Sequence, residues 1–308
     1  MFPIPADPLA QRLLLNALPG VGPATVRRLR DAFGGDLAAA LRARPAELAR
    51  LKGVGAKLAA TIAARDFDWA AELARVEALG FRVVAEGAPD WPLAFAPLWD
   101  PPLVLYAEGA TLPGERAVAI IGSRHCTAYG AGLARRFARD LAAAGWWIVS
   151  GLARGIDTAA HEGALDAEGR TVAVLGHGLD LTYPPEGRAL RARMRERGGV
   201  LSEFPLGRPA DRQSFPQRNR IVAALARAVV VIETDVDGGS LITARFAGDL
   251  GKTLCAVPGR VDSPASRGCH ALLRDGATLV TGVDDILREL GEARDQAALP
   301  LPSPAAPA

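Results

Sequence analysis

The sequence predicts an α/β protein: a doubly wound, mostly parallel sheet preceded by a small all-helical domain. Three observations carry this. From residue 117 onward, short apolar runs recur: AVAIIG (117–122), WWIVSG (146–151), TVAVLG (171–176), GVLSEF (199–204), AVVVIET (228–234), TLCAVPG (253–259) and ATLV (277–280). Runs that are apolar along their whole length are strands buried on both faces. Helical patterns such as LARRFARDLAAAG separate them, and strand–helix–strand alternation means parallel crossover units. Ahead of these, residues 10–75 are rich in Ala, Leu, Arg and Glu, with apolar positions at helical spacing, as in Ala24, Val26, Leu29 and Phe33.

Taken in order, residues 1–78 form the expected helical domain. It contains an internal echo: LPGVGPATVRRL (18–29) returns as LKGVGAKLAATI (51–62), 33 residues later. The paired glycines permit a tight turn and leave the first N–H groups of the next helix open to a phosphate oxygen. The pair looks like two helix-hairpin-helix motifs, whose usual ligand is the duplex DNA backbone; packing or protein contact is the competing role. Residues 79–112 form a Pro-rich connection with two accessory strands, FRVVAEG (81–87) and PLVLYAEG (102–109). The sheet domain spans 113–292, and the Pro/Ala-rich end, 293–308, is expected to be disordered.

Composition removes several functions. The 308 residues are 49% hydrophobic and 23% charged, ordinary for a globular chain. No run approaches the roughly 20 apolar residues of a membrane span, and the N-terminus lacks a signal-peptide pattern. A soluble cytoplasmic protein is expected. Three cysteines, Cys126, Cys255 and Cys269, give neither a disulfide framework nor a zinc pattern. Net charge is only +2, yet between Tyr183 and Arg227 ten arginines face four acidic residues. That local excess suits a phosphate-rich ligand, although a solvated face is the commoner origin of a charge run.

Doubly wound sheets bind ligands beyond the carboxyl ends of their strands, so the residues after each run carry the chemistry. The first run ends in Gly122, Ser123 and Arg124, with Thr127 as a candidate helix cap. Gly-x-Gly-x-x-Gly is absent, which argues against a dinucleotide; a glycine turn, a guanidinium and a helix start favour an anion. The second ends in Ser150, Gly151, Arg154 and Gly155, repeating that chemistry, and the third brings His177, read as a hydrogen-bonded rather than a catalytic histidine. In the 212–221 stretch Phe215 lies among Arg212, Arg218 and Arg220, with Asn219 beside them. A base stacks on an aromatic ring while guanidiniums hold adjacent phosphates, the combination used by single-strand binders. The competing reading puts Phe215 in the core and makes Asn219 a helix cap. After the fifth run, Gly238, Gly239 and Ser240 open another helix, while Glu233, Asp235 and Asp237 are expected in a solvated turn without metal.

Together, GSRHCTAYG, SGLARGIDTAAH, VLGHGLDLTYPPE, SEFPLG, FPQRNRIVAAL, ETDVDGGSLITA, AVPG and SRGCHALLRDGA resemble the motifs of the DNA-processing protein A (DprA/Smf) family, in order, from about Pro113 to Val280. The hairpin pair resembles the sterile-alpha-motif-like (SAM-like) domain that often precedes that core. The resemblance implies an extended Rossmann fold and a non-enzymatic protein that binds and protects incoming single-stranded DNA (ssDNA) during natural transformation. It also implies a homodimer that loads the RecA recombinase by displacing or bypassing single-strand binding protein; no cofactor, metal or membrane partner is expected. The phosphate- and ssDNA-binding residues it implicates are Gly122, Ser123, Arg124, Ser150, Gly151, Arg154, Gly155, Phe215, Arg218, Asn219 and Arg220, and also Gly239 and Ser240. Many relatives end in a winged-helix domain; this sequence is expected to lack one. The alternative is an enzyme of a related Rossmann-like group, a nucleotide-binding or nucleoside-monophosphate phosphoribohydrolase-like protein using Glu233 beside the GGS turn. A third reading leaves DNA binding to the hairpins alone, with the core as an interaction scaffold.

Overall fold

The computed structural model describes residues 1–109 and 112–292; the tail expected to be disordered lies outside them. Six helices come first: α1 (Pro8–Ala17), α2 (Pro23–Ala32), α3 (Leu37–Arg42), α4 (Pro45–Leu48), α5 (Ala56–Ala64) and α6 (Trp69–Ala78). Their starts follow local chemistry. Asp7, Asp36 and Asp68 accept from the backbone N–H three residues on, and proline occupies the first turn of α1, α2 and α4. The two echoed turns share a left-handed glycine: Gly20 and Gly53 both sit at φ 78°, where a side chain would strain, and Gly22 and Gly55, both extended, cap α2 and α5. Leu14, Leu15, Leu29, Leu41, Leu48 and Ile62 form their own apolar core.

Every apolar run becomes a strand. The sheet comprises β1 (Arg82–Ala85), β2 (Val104–Gly109), β3 (Ala117–Ile121), β4 (Trp147–Ser150), β5 (Thr171–Leu175), β6 (Gly198–Ser202), β7 (Ala228–Val231), β8 (Thr253–Ala256) and β9 (Thr278–Leu279). Their order is β1-β2-β6-β5-β4-β3-β7-β8-β9. The seven strands from β6 to β9 run parallel, and β1 and β2 add an antiparallel edge. The intervening helices are α7 (Ala128–Ala143), α8 (Ile156–Asp166), α9 (Arg188–Arg197), α10 (Ser214–Leu225), α11 (Ser240–Asp249), α12 (Pro264–Arg274) and α13 (Val283–Glu289). None of the described helices is long and apolar enough to cross a membrane.

Both faces of the sheet are covered. On one, Leu133, Phe137 and Leu141 of α7 and Ile156 and Ala160 of α8 pack on Val118, Ile120 and Ile148. On the other, Ile221 to Leu225 of α10 and Ala244 and Ala247 of α11 pack on Ala119, Val149 and Val231. This explains why the central strands read as continuous apolar runs rather than alternating ones. After β3 the chain winds toward β4, β5 and β6, then returns to β7 on the other side of β3. The direction reverses between β3 and β7, and a crevice opens beyond their carboxyl ends.

His161 of α8 is fully buried. Its Nδ1 lies 2.6 Å from Thr171 Oγ1, whose proton is directed at Ile148 O. Nδ1 is therefore the donor, and Nε2 is left without a partner. Burial, with Arg218 adding repulsion, lowers its pKa to about 3 from the ordinary 6.5. The native imidazole stays neutral while the unfolded one takes a proton, so the stability it contributes is full above pH 6.5 and lost as pH falls toward 3. Unfolding titrations from pH 6.5 to about 5 should show a shallower loss of stability in His161→Gln than in the wild type; equal slopes would remove His161 from the account.

Candidate nucleic-acid interface

The turn after β3 is built around Glu233, at the end of the β7 run. Ser123 N–H donates to Glu233 O at 2.7 Å. The carboxylate accepts from Thr127 N at 2.8 Å and Thr127 Oγ1 at 2.6 Å, and Thr127 Oγ1 accepts from Gly130 N as the cap of α7. A carboxylate at a helix N-terminus meets the positive end of its dipole. Glu233 is buried, which corrects the expectation of a solvated carboxylate there: its neighbours Asp235 and Asp237 are exposed, but Glu233 joins the two sides of the switch point. Thr127 caps α7 as expected.

The loop after β4 passes beneath that turn. Gly155 has φ 76°, and a Cβ there would lie 2.4 Å from Ser123 O, so only glycine fits. Ile156 N–H donates back to Ser123 O at 3.2 Å. Asp157 is buried and accepts from Gly151 N and Ala153 N; burial raises its pKa and the charge of Arg218 opposes the rise. Ser150 does not face the crevice. Its hydroxyl is buried and donates to Ile120 O at 2.7 Å.

The Phe215 stretch is the first half of α10, so its residues divide by helical face. Phe215, Arg218, Asn219 and Val222 turn to the crevice. Arg218 is nearly buried and donates to Gly151 O at 2.7 Å and to Val174 O. Burial lowers its pKa to about 10, Asp157 counteracting and Arg124 reinforcing the shift, so it stays cationic at neutral pH. Asn219 lies inside the helix rather than capping it, and its amide donates to Gly239 O at 3.4 Å. Phe215 is half-buried at the cleft wall, and the Arg124 guanidinium carbon lies 4.6 Å from its ring centroid.

Arg220 faces the other way and leaves the candidate set. It is 2% exposed, paired with Glu203 at 2.7 Å and Asp100 at 3.0 Å, and anchors α10 to the end of β6 and the connecting loop. Arg154 is exposed and pairs with Glu186. It borders a recess next to the crevice, sharing Arg124 and Phe215 with it, rather than the crevice itself. His177 is buried with Nδ1 2.9 Å from Gly178 O, the hydrogen-bonded role expected of it.

The assembled cleft has a volume of about 470 Å³ and is bordered by Gly122 to Arg124, Gly151, Asp157, Arg212, Phe215, Arg218, Asn219 and Gly238 to Ser240. Ser240 Oγ donates to Thr234 Oγ1 at 2.7 Å, fixing the turn that opens α11. Arg212, part of the 212–221 stretch but not one of the residues the resemblance implicates, also belongs to the site; it sits two residues ahead of α10. Among the described residues no group of three or more His, Cys, Asp or Glu side chains could hold a metal ion. Glycine turns, three guanidiniums and an aromatic ring equip this cleft for a phosphate ester with an attached base.

Fold and site thus define a doubly wound α/β protein with an anion cleft at the switch point and a tandem helical-hairpin domain. The family model for DNA recombination-mediator protein A matches residues 82–291, and a SAM-like helix-hairpin-helix tandem matches 12–65, the region of the echo. The chain belongs to the DNA recombination-mediator protein A family. It is 45% identical over 263 residues to the putative DNA processing protein DprA of Mycobacterium tuberculosis, covering 80% of this chain and 67% of the relative. It is 36% identical over 289 residues to protein Smf of Synechocystis, covering 91% and 72%. DNA processing protein A from Streptococcus pneumoniae superposes with a TM-score of 0.74 at 32% identity, over 92% of this chain and 95% of that one. The Helicobacter pylori protein, described for its unique single-stranded DNA binding mode, gives 0.62 at 33% identity, over 69% and 96%.

The division of the arginines is testable. Arg220→Ala leaves Glu203 buried and unpaired, so denaturant unfolding should show a loss of about 3–5 kcal/mol. Arg124→Ala, on the surface, should change stability by about 0.5 kcal/mol or less. Equal stabilities for the two variants would contradict the assignment.

Proposed function

We propose that this chain is a non-enzymatic ssDNA-binding protein that holds the strand's backbone in the cleft beyond β3, β4 and β7. The observation that carries the reading is the Arg124–Phe215 stack, 4.6 Å from guanidinium carbon to ring centroid, set among three glycine turns on one cleft. Turn N–H groups and Arg212 take phosphates, Arg218 supplies charge from below, and a base joins the Arg124–Phe215 stack. Gly122, Ser123, Gly239 and Ser240 contribute at the two turns facing each other across the switch point. Gly151 and Gly155 shape the floor, and Ser150 and Arg220 act through the scaffold. The resemblance to proteins named for DNA processing, and to one described for single-stranded DNA binding, supports this reading.

On the same reading the protein works in the cytoplasm as a homodimer during natural transformation. It protects incoming single strands and passes them to RecA in place of single-strand binding protein. The glycine turns of the helical domain are available to a duplex backbone. Glu233, the acid an enzymatic reading would need, has both carboxylate oxygens engaged by Thr127, which favours binding over catalysis.

Anisotropy of a labelled oligothymidylate across a salt series tests the proposal. Log affinity should fall linearly with log salt, with a slope of about −0.7 per phosphate contacted. Arg124→Glu should nearly abolish binding, and Phe215→Ala should weaken it by about 1–3 kcal/mol with the slope unchanged. A flat salt response, or release of free base from a nucleoside monophosphate, would overturn the reading.

A further inference from the structure

Next to the cleft lies an open shelf of about 480 Å³, bordered by His177, Tyr183, Pro209, Asp211, Arg212 and Phe215. Phe215 and Arg212 border cleft and shelf alike, so the two spaces adjoin at the start of α10. Tyr183 is 45% exposed although large and aromatic. Its ring centroid is 6.0 Å from that of Phe215, with the planes tilted by 43°. His177 backs it edge-on, with centroids 6.4 Å apart at 82°, and the next residue, Pro184, is buried. The tyrosine is thus held in place by neighbours that leave much of it open to solvent.

The charge on the shelf is also arranged. Asp211 Oδ1 accepts from Gln213 N at 2.8 Å and Ser214 N at 2.7 Å, and Arg208 pairs with its other oxygen at 3.1 Å. That carboxylate is committed to the start of α10 and to one arginine, which leaves Arg212, exposed between cleft and shelf, as the cation presented to a ligand.

We propose that the shelf is a second nucleotide subsite, in which Tyr183 stacks the base adjacent to the one at Arg124–Phe215 and Arg212 holds the phosphate between them. The inference rests on the ssDNA reading of the cleft and extends it from one nucleotide to a directed track. A strand held by its phosphates in the cleft continues past Phe215, and on this side the shelf supplies both an aromatic face and a cation there. Stacking depends on the π-face alone, so the subsite tolerates any base.

The test uses the full-length chain and short oligothymidylates of increasing length, some with a single abasic position. Lengthening the oligomer by the nucleotide that reaches the shelf should raise affinity about 5-fold to 150-fold, the equivalent of one stacked base. An abasic residue at that position should forfeit the gain. Tyr183→Ala should forfeit it too without altering the salt slope, and Tyr183→Phe should restore most of it, the hydroxyl lying outside the stack. Arg212→Gln should reduce the salt slope by about one contact, which keeps the proposal open to refutation if Tyr183→Ala folds poorly. If Tyr183→Ala and Arg212→Gln bind like the wild type while Phe215→Ala is weakened, the shelf is unused and the cleft reading survives. If Phe215→Ala and Arg124→Glu also bind like the wild type, the cleft reading fails and the subsite with it.

Discussion

The cleft depends on one buried carboxylate. Glu233 lies where the winding order of the sheet reverses, and its two oxygens hold the backbone N–H and hydroxyl of Thr127 while its carbonyl holds Ser123 N–H. These contacts span the gap between β3 and β7, which parallel pairing alone does not close beyond the last ladder bond. They fix the Gly122–Arg124 turn and the start of α7. A charge buried here is tolerated because it is hydrogen-bonded and sits at a helix N-terminus.

The arginines fall into two populations with different physics. Arg220 and Arg191 are buried against carboxylates: Arg220 on Glu203, Arg191 on Glu108 at 2.6 Å. They hold helices to the sheet and are unavailable to a ligand. Arg124 and Arg212 are exposed at the cleft, and they are the pair that the proposed function assigns to the strand, whose phosphates would release counterions on meeting them. Arg218 is intermediate: buried under the cleft floor, it gives the site a fixed positive potential beneath Gly151 rather than a flexible contact. The arginine excess between Tyr183 and Arg227 therefore mixes scaffold with site.

Much of the fold was legible because its signals are local. Each strand is a short apolar run, and the echo at Gly20 and Gly53 marks two turns that share a left-handed glycine. Thr127 was readable as a cap from its position after the turn. As members of one arginine cluster in the 212–221 stretch, Arg218 and Arg220 look alike. Placed on a helix, residues 215, 218, 219 and 222 share a face and 220 does not, a 3.6-residue periodicity that the sequence does contain. The role of Glu233 was hidden for a different reason: its partner Thr127 is 106 positions away, and nothing in the acidic ETDVD run distinguishes the buried acid from the two exposed ones. Tyr183 carries no such signal because it lies on a loop, where no periodicity reports which way a side chain faces.

The central claim is spatial: glycine turns from separate strands and guanidiniums from separate segments meet at one cleft to take an unpaired polynucleotide. A crystal structure of the protein with a short oligothymidylate tests it most directly. The account predicts backbone phosphates within hydrogen-bond distance of the Gly122–Arg124 and Gly238–Ser240 turns and a base stacked at Arg124–Phe215. An oligonucleotide seated on the helical hairpins, with the cleft beyond β3 and β7 free of it, would contradict the account.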